Sequence, residues 1–215
     1  LSRQVLAEGR RFHGNKAAVN VGVSTFIPKP HTPFQWEPMG DMADIRAKLR
    51  YLIDEFKRPG LKLRWNEPDE SVFEGVLTRG DRRMAAVVER AWRKGATFDA
   101  WQNHFRRDAW QEAMAEEGLD PAFYSHRRRP IDEVFPWEHI DVAVTRRFLT
   151  GDYLMSQRQE TRIDCRHHCF ACGILPKLKE LRRETPAEAW ACPPVTSVAE
   201  RKRVGAIQVT GYPLG

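Results

Sequence analysis

Three of the four cysteines in this chain fall within eight residues, Cys165-Arg-His-His-Cys169-Phe-Ala-Cys172, with Gly173 directly after them. Thiolates spaced C-x3-C-x2-C can all turn toward one cation or cluster, and the glycine lets the backbone curl around it. Scattered structural thiols would not gather in this way. A disulfide framework would need spaced, even-numbered partners and a secretory setting, and neither is present. The segment therefore reads as a metal site in a reducing, cytoplasmic compartment, with three incidental thiols as the bland alternative.

Spacing alone leaves two metals open. Three thiolates on a 4Fe-4S cluster would leave one iron free, the arrangement that binds S-adenosylmethionine in radical enzymes. Such a catalytic loop is followed by a barrel, which takes roughly 150 or more residues of βα units. The chain ends too soon after Cys172 for that, and its strand-like runs lie before the cysteines. An accessory iron–sulfur site fits the position. Zinc competes with it, taking the three thiolates and a fourth ligand from His167, His168 or Cys192.

Residues 1–13 read as a helix already under way at Leu1, which predicts a piece of a longer protein. Residues 17–27 form a nearly continuous apolar run, suited to a strand buried on both faces of a parallel sheet or barrel. Pro28-Lys-Pro-His-Thr-Pro33 is a stiff, extended loop. Asp41 can cap a helix reaching about Lys57, with Ile45, Leu49, Leu52, Ile53 and Phe56 on one face. Pro59-Gly60 then turns the chain into a strand, Leu61–Trp65. Strand, loop, helix, strand is a βαβ signature.

Helices are expected over 68–77, 81–94, 106–117, 140–156 and 176–184. Trp92, Trp101, Trp110 and Trp137 are expected to knit one core, with base stacking as the alternative. From Thr185 the composition suits a linker or tail. No run approaches the ~18 apolar residues of a membrane span.

Val23-Ser-Thr-Phe-Ile-Pro-Lys-Pro-His-Thr-Pro-Phe-Gln-Trp36 and Glu74-Gly-Val-Leu-Thr-Arg-Gly-Asp-Arg-Arg83 resemble stretches of the B12-binding radical S-adenosylmethionine proteins. Gly95-Ala-Thr-Phe-Asp-Ala-Trp101, Phe135-Pro-Trp-Glu-His-Ile-Asp141 and Asp164-Cys-Arg166 carry the likeness further, over about residues 17–175. The resemblance implies an α/β fragment, the last strands of a partial TIM-like radical S-adenosylmethionine barrel, followed by a mostly α-helical region. The implied domains are barrel over 1–66, helical region over 67–160, cysteine segment over 161–184 and tail over 185–215.

The resemblance further implies an enzyme whose cobalamin domain and catalytic cysteine loop lie upstream, so that this piece alone would be inactive. Its partners would be those upstream portions and a linked downstream domain. Its cofactors would be an iron–sulfur cluster, S-adenosylmethionine and cobalamin. Ser24 and Phe26, which share a side of the strand, and Lys29 in the following loop would then face S-adenosylmethionine, with plain core packing as the alternative for the strand residues. Where the family's cysteine segment often has a further cysteine, this chain has Leu175, so Cys192 or a histidine would have to serve as the fourth ligand beside Cys165, Cys169 and Cys172.

Charge supports a second class of function. Lys and Arg number 35 against 29 acids, a net +6. That suits an ordinary basic protein or a polyanion-binding surface, and the interleaving of the charges argues against a single footprint. Arg79, Arg82 and Arg83 could contact phosphate or nucleic acid, against an exposed helix start with an internal ion pair. His31 is a further loop candidate, and Glu138, His139 and Asp141 invite an acid–base reading. The competing function is thus a zinc-stabilised basic helical module that binds RNA or a protein. No nucleophile elbow, phosphate-cradling loop or H-E-x-x-H motif is present.

Overall fold

A computed structural model describes residues 1–99, 101–186, 192, 193 and 197–209. The chain divides into two units, residues 1–29 with 37–129, and residues 30–36 with 130–215.

The first unit opens with α1 (Ser2–His13), β1 (Val19–Val23), α2 (Met42–Glu55) and β2 (Leu61–Trp65). The βαβ signature holds: β1 and β2 pair in parallel, from Val19 opposite Leu61 to Val23 opposite Trp65. Asp41 caps α2 by accepting from the backbone N–H groups of Ala43 and Asp44, which otherwise have no partner within the helix. Ile45, Leu49, Leu52, Ile53 and Phe56 form its half-buried side.

Four helices follow: α3 (Pro68–Arg79), α4 (Met84–Arg93), α5 (Arg107–Glu116) and α6 (Pro121–Ser125). Pro68 starts α3 where a missing N–H costs nothing, and Asp69 and Glu70 favour the positive end of the helix dipole. Gly95, at φ 91°, reverses the chain after α4 in a conformation open to glycine at little cost. Phe73 and Val76 of α3, Val87 and Ala91 of α4, and Trp110 and Met114 of α5 meet in one core.

The barrel expectation is overturned. The described residues contain two two-stranded sheets, and the rest of the regular structure is helical. The apolar run at 17–27 misled because its burial alternates. Val19, Val21, Val23, Thr25 and Ile27 are half-buried, while Asn20, Gly22, Ser24 and Phe26 are exposed. That period of two marks a sheet covered on one face, whereas a barrel strand is covered on both.

The tryptophan expectation is corrected as well. Trp110 and Trp137 are buried, but in separate cores, and Trp92 and Trp101 are each 62% exposed. Among the described residues no helix is long and apolar enough to cross a membrane.

The second unit holds α7 (Arg146–Ser156), β3 (Glu160–Thr161), α8 (Ile174–Lys177), α9 (Lys179–Glu184), α10 (Val198–Arg203) and β4 (Ile207–Gln208). Its core is aromatic. Trp36 lies 5.3 Å from Tyr153 between ring centroids, and Phe135 stacks on Trp137 at 4.7 Å. The helix expected from Ile140 begins at Arg146, because Ala143 takes φ 63° and the Thr145 hydroxyl then accepts from Phe148 N–H as a cap. The expected tail is partly built. Ser197 and Glu200 close a capping box at the start of α10, and β4 pairs antiparallel with β3.

Candidate metal centre

The cysteine segment is a loop between β3 and α8, held at both ends. Asp164 opens it, accepting from Arg166 N–H at 2.8 Å, and the Arg166 guanidinium holds its carboxyl far below the usual range. At the far end Cys172 C=O accepts from Thr145 N–H at 2.8 Å. Gly173 follows at φ 121°, where a Cβ would stand 2.6 Å from the Ala143 carbonyl oxygen. Here the glycine is required twice, by backbone conformation and by close approach.

The middle of the loop is anchored by stacking. The Phe170 ring lies under the Arg162 guanidinium at 5.0 Å and beside the His168 ring at 4.9 Å. Arg162 is itself fixed by Asp152 of α7 at 2.5 Å.

Within this frame Cys165 is exposed, Cys169 is buried and Cys172 is half-buried. Cys192, the expected fourth ligand, stands twenty residues beyond Cys172 in sequence and is half-buried. Burial raises its thiol, and the charges of Cys172, Cys165 and Cys169 raise it further, against a smaller opposing effect of Arg182. Glu200, lowered chiefly by the Ser197 backbone N–H, also feels His168.

The candidate donors are the three thiols of the loop with Cys192 as the expected fourth, chemistry that zinc and iron–sulfur clusters both take. Among the described residues no three His, Cys, Asp or Glu side chains already stand in metal-holding geometry.

The remaining sequence candidates fall elsewhere. Ser24 donates to Asn66 Oδ1 at 3.2 Å, Phe26 is 51% exposed, and Lys29 pairs with Glu74. All three lie on the first unit, not in a barrel interior. Arg79 is 1% exposed and donates to the Glu37 carbonyl at 2.6 Å, so it ties backbone inside the unit rather than meeting a phosphate. Arg82 and Arg83 face solvent, and Arg83 forms the internal ion pair with Asp81 at 2.7 Å. Glu138 pairs with Arg146, and Asp141 with Lys177 at 2.6 Å. Sequence reasoning overlooked Lys177. Its position one helical turn after Gly173 was the available signal.

No family model matches the chain, and no solved structure matches it. Over 71 residues, a third of the chain, it is 27% identical to the uncharacterized protein MJ0966 of Methanocaldococcus jannaschii. The match spans 16% of that relative's length.

Proposed function

We propose that Cys165, Cys169, Cys172 and Cys192 are the ligands of an accessory 4Fe-4S cluster, and that the chain is part of a cytoplasmic B12-binding radical S-adenosylmethionine enzyme. The observation that carries the metal site is the C-x3-C-x2-C spacing of Cys165, Cys169 and Cys172 on a loop tied down at Thr145 and Gly173. The enzyme class rests on the resemblance of residues 23–36 and 74–83. A cluster of this kind transfers electrons or binds substrate, with S-adenosylmethionine and cobalamin acting in other portions of the protein.

The chain's own contribution is positional. Thr145 and Gly173 fix one end of the cysteine loop against the residues preceding α7, and Arg162 fixes its middle through Phe170. Burial of Cys169 removes one ligand from water, which slows loss and oxidation of the site. The basic surface is spent largely on local ion pairs such as Arg90 with Glu116 and Glu117. It therefore adds little to a nucleic-acid reading.

Anaerobic reconstitution with iron and sulfide, followed by metal and acid-labile sulfide analysis, tests the cluster. The expected result is about four iron and four sulfide per chain, falling sharply in Cys192→Ala. Stoichiometric zinc without sulfide would overturn the cluster. It would favour the competing reading, in which four thiolates close a structural zinc site within a basic module that binds RNA or protein.

A further inference from the structure

A cavity of about 370 Å³ lies within the second unit, between the loop at residues 31–35 and the segment that leads into α7. Its inner wall is apolar, built on the buried Trp137 and Leu149. His31 enters it from a backbone at φ 57°, a conformation uncommon for a residue with a side chain and tolerated better by histidine than by most. The loop is held there by Gln35, whose Oε1 accepts from His31 N–H.

Most of the polar groups around the cavity are already matched. Arg146 pairs with Glu138 and donates to the carbonyls of Ile131 and Glu133. Asp141 accepts from Ala143 N–H and from Lys177. Two groups have capacity left. Nε2 of His31 is buried and has no hydrogen-bond partner, a costly state for a ring nitrogen. Lys177 carries three N–H donors and gives one to Asp141.

With His31 as its Nε2–H tautomer, a ligand that answers both groups accepts hydrogen bonds and carries negative charge. It carries only one such charge, because Glu138 and Asp141 line the same cavity and repel a second. Trp137 and Leu149 ask for a hydrocarbon body. We propose that this cavity binds a small organic carboxylate, received by His31 Nε2 and the Lys177 ammonium, with its apolar body against Trp137 and Leu149. The site uses none of the four cysteines, so it stands or falls separately from the metal centre.

The test is an NMR titration of the whole chain with isovalerate, isovaleramide and inorganic phosphate, read at the His31 imidazole and the Trp137 indole N–H. Isovalerate is expected to shift both signals saturably, and the amide and phosphate to bind about tenfold more weakly or less. His31→Asn retains a residue tolerant of positive φ and is expected to weaken isovalerate about tenfold. Lys177→Gln, at an exposed position, is expected to weaken it about threefold without disturbing the fold. Equal binding of the amide or phosphate, shifts that miss both reporters, unaltered affinity in both variants, or no saturation would each overturn the proposal.

Discussion

Gln35 Oε1 accepts two hydrogen bonds, one from the indole Nε1–H of Trp137 at 3.0 Å and one from the backbone N–H of His31 at 3.1 Å. A single side-chain oxygen thereby locks a proline-flanked loop to a core ring 102 residues further along the chain. Gln35 is 4% exposed, so water offers no replacement acceptor. Gln35→Leu keeps the volume and removes the acceptor. It is expected to destabilise the second unit by about 2–3 kcal/mol, measured by urea denaturation. Gln35→Glu, which keeps an oxygen acceptor but buries a charge, should not restore full stability.

Gly173→Ala addresses the cysteine loop. The new Cβ would meet the Ala143 carbonyl oxygen at a distance side chains do not adopt, and φ 121° is strained for alanine in any case. The loop must shift, at a cost on the order of 3 kcal/mol. Faster alkylation of Cys169, which is 8% exposed in the parent, is the expected readout.

The separation of the tryptophans gives a paired comparison. Trp110→Ala removes a ring from the helical core and is expected to cost about 3–5 kcal/mol. Trp92→Ala, at a position 62% exposed, should change stability by no more than about 0.5 kcal/mol. Thermal denaturation of the two variants checks the contrast, and similar losses in both would restore the single-core expectation.

Asp81 supplies a pH dependence. The hydrogen bond from the Arg83 side chain draws its carboxyl from an ordinary 3.8 to about 2, with the Arg83 backbone N–H and Tyr124 hydroxyl adding to the effect. A pKa lowered by folding stabilises the native state above the unfolded value and loses that contribution as pH falls through the folded one. The partner is 55% exposed, so solvent screening reduces the effect to about 1 kcal/mol. Asp81→Asn should therefore be less stable than the parent at neutral pH, and the gap should narrow between about pH 4 and pH 2. Denaturant melts of both proteins across that range measure it.

Local chemistry was legible wherever a few neighbouring residues decide the outcome. Asp41 caps α2, Gly95 ends the turn after α4, and the five apolar residues of α2 share its half-buried face. The parallel pairing of β1 with β2 also followed, since two strand-like runs joined through a helix have few other solutions. The helix start expected at Ile140 failed because the Asp141 carboxylate accepts from Ala143 N–H in a local turn and Ala143 takes a positive φ, which a count of helical spacing does not reveal.

By itself the sequence determined that three thiols stand together on a glycine-ended loop and that helices dominate after residue 66. Composition and short-range spacing carry that information. Only the tertiary structure decided that Ser24 and Phe26 face solvent, that Arg79 is interior and that the tryptophans serve two cores. Each of these depends on which distant segment covers a given face, which short-range composition and spacing do not record.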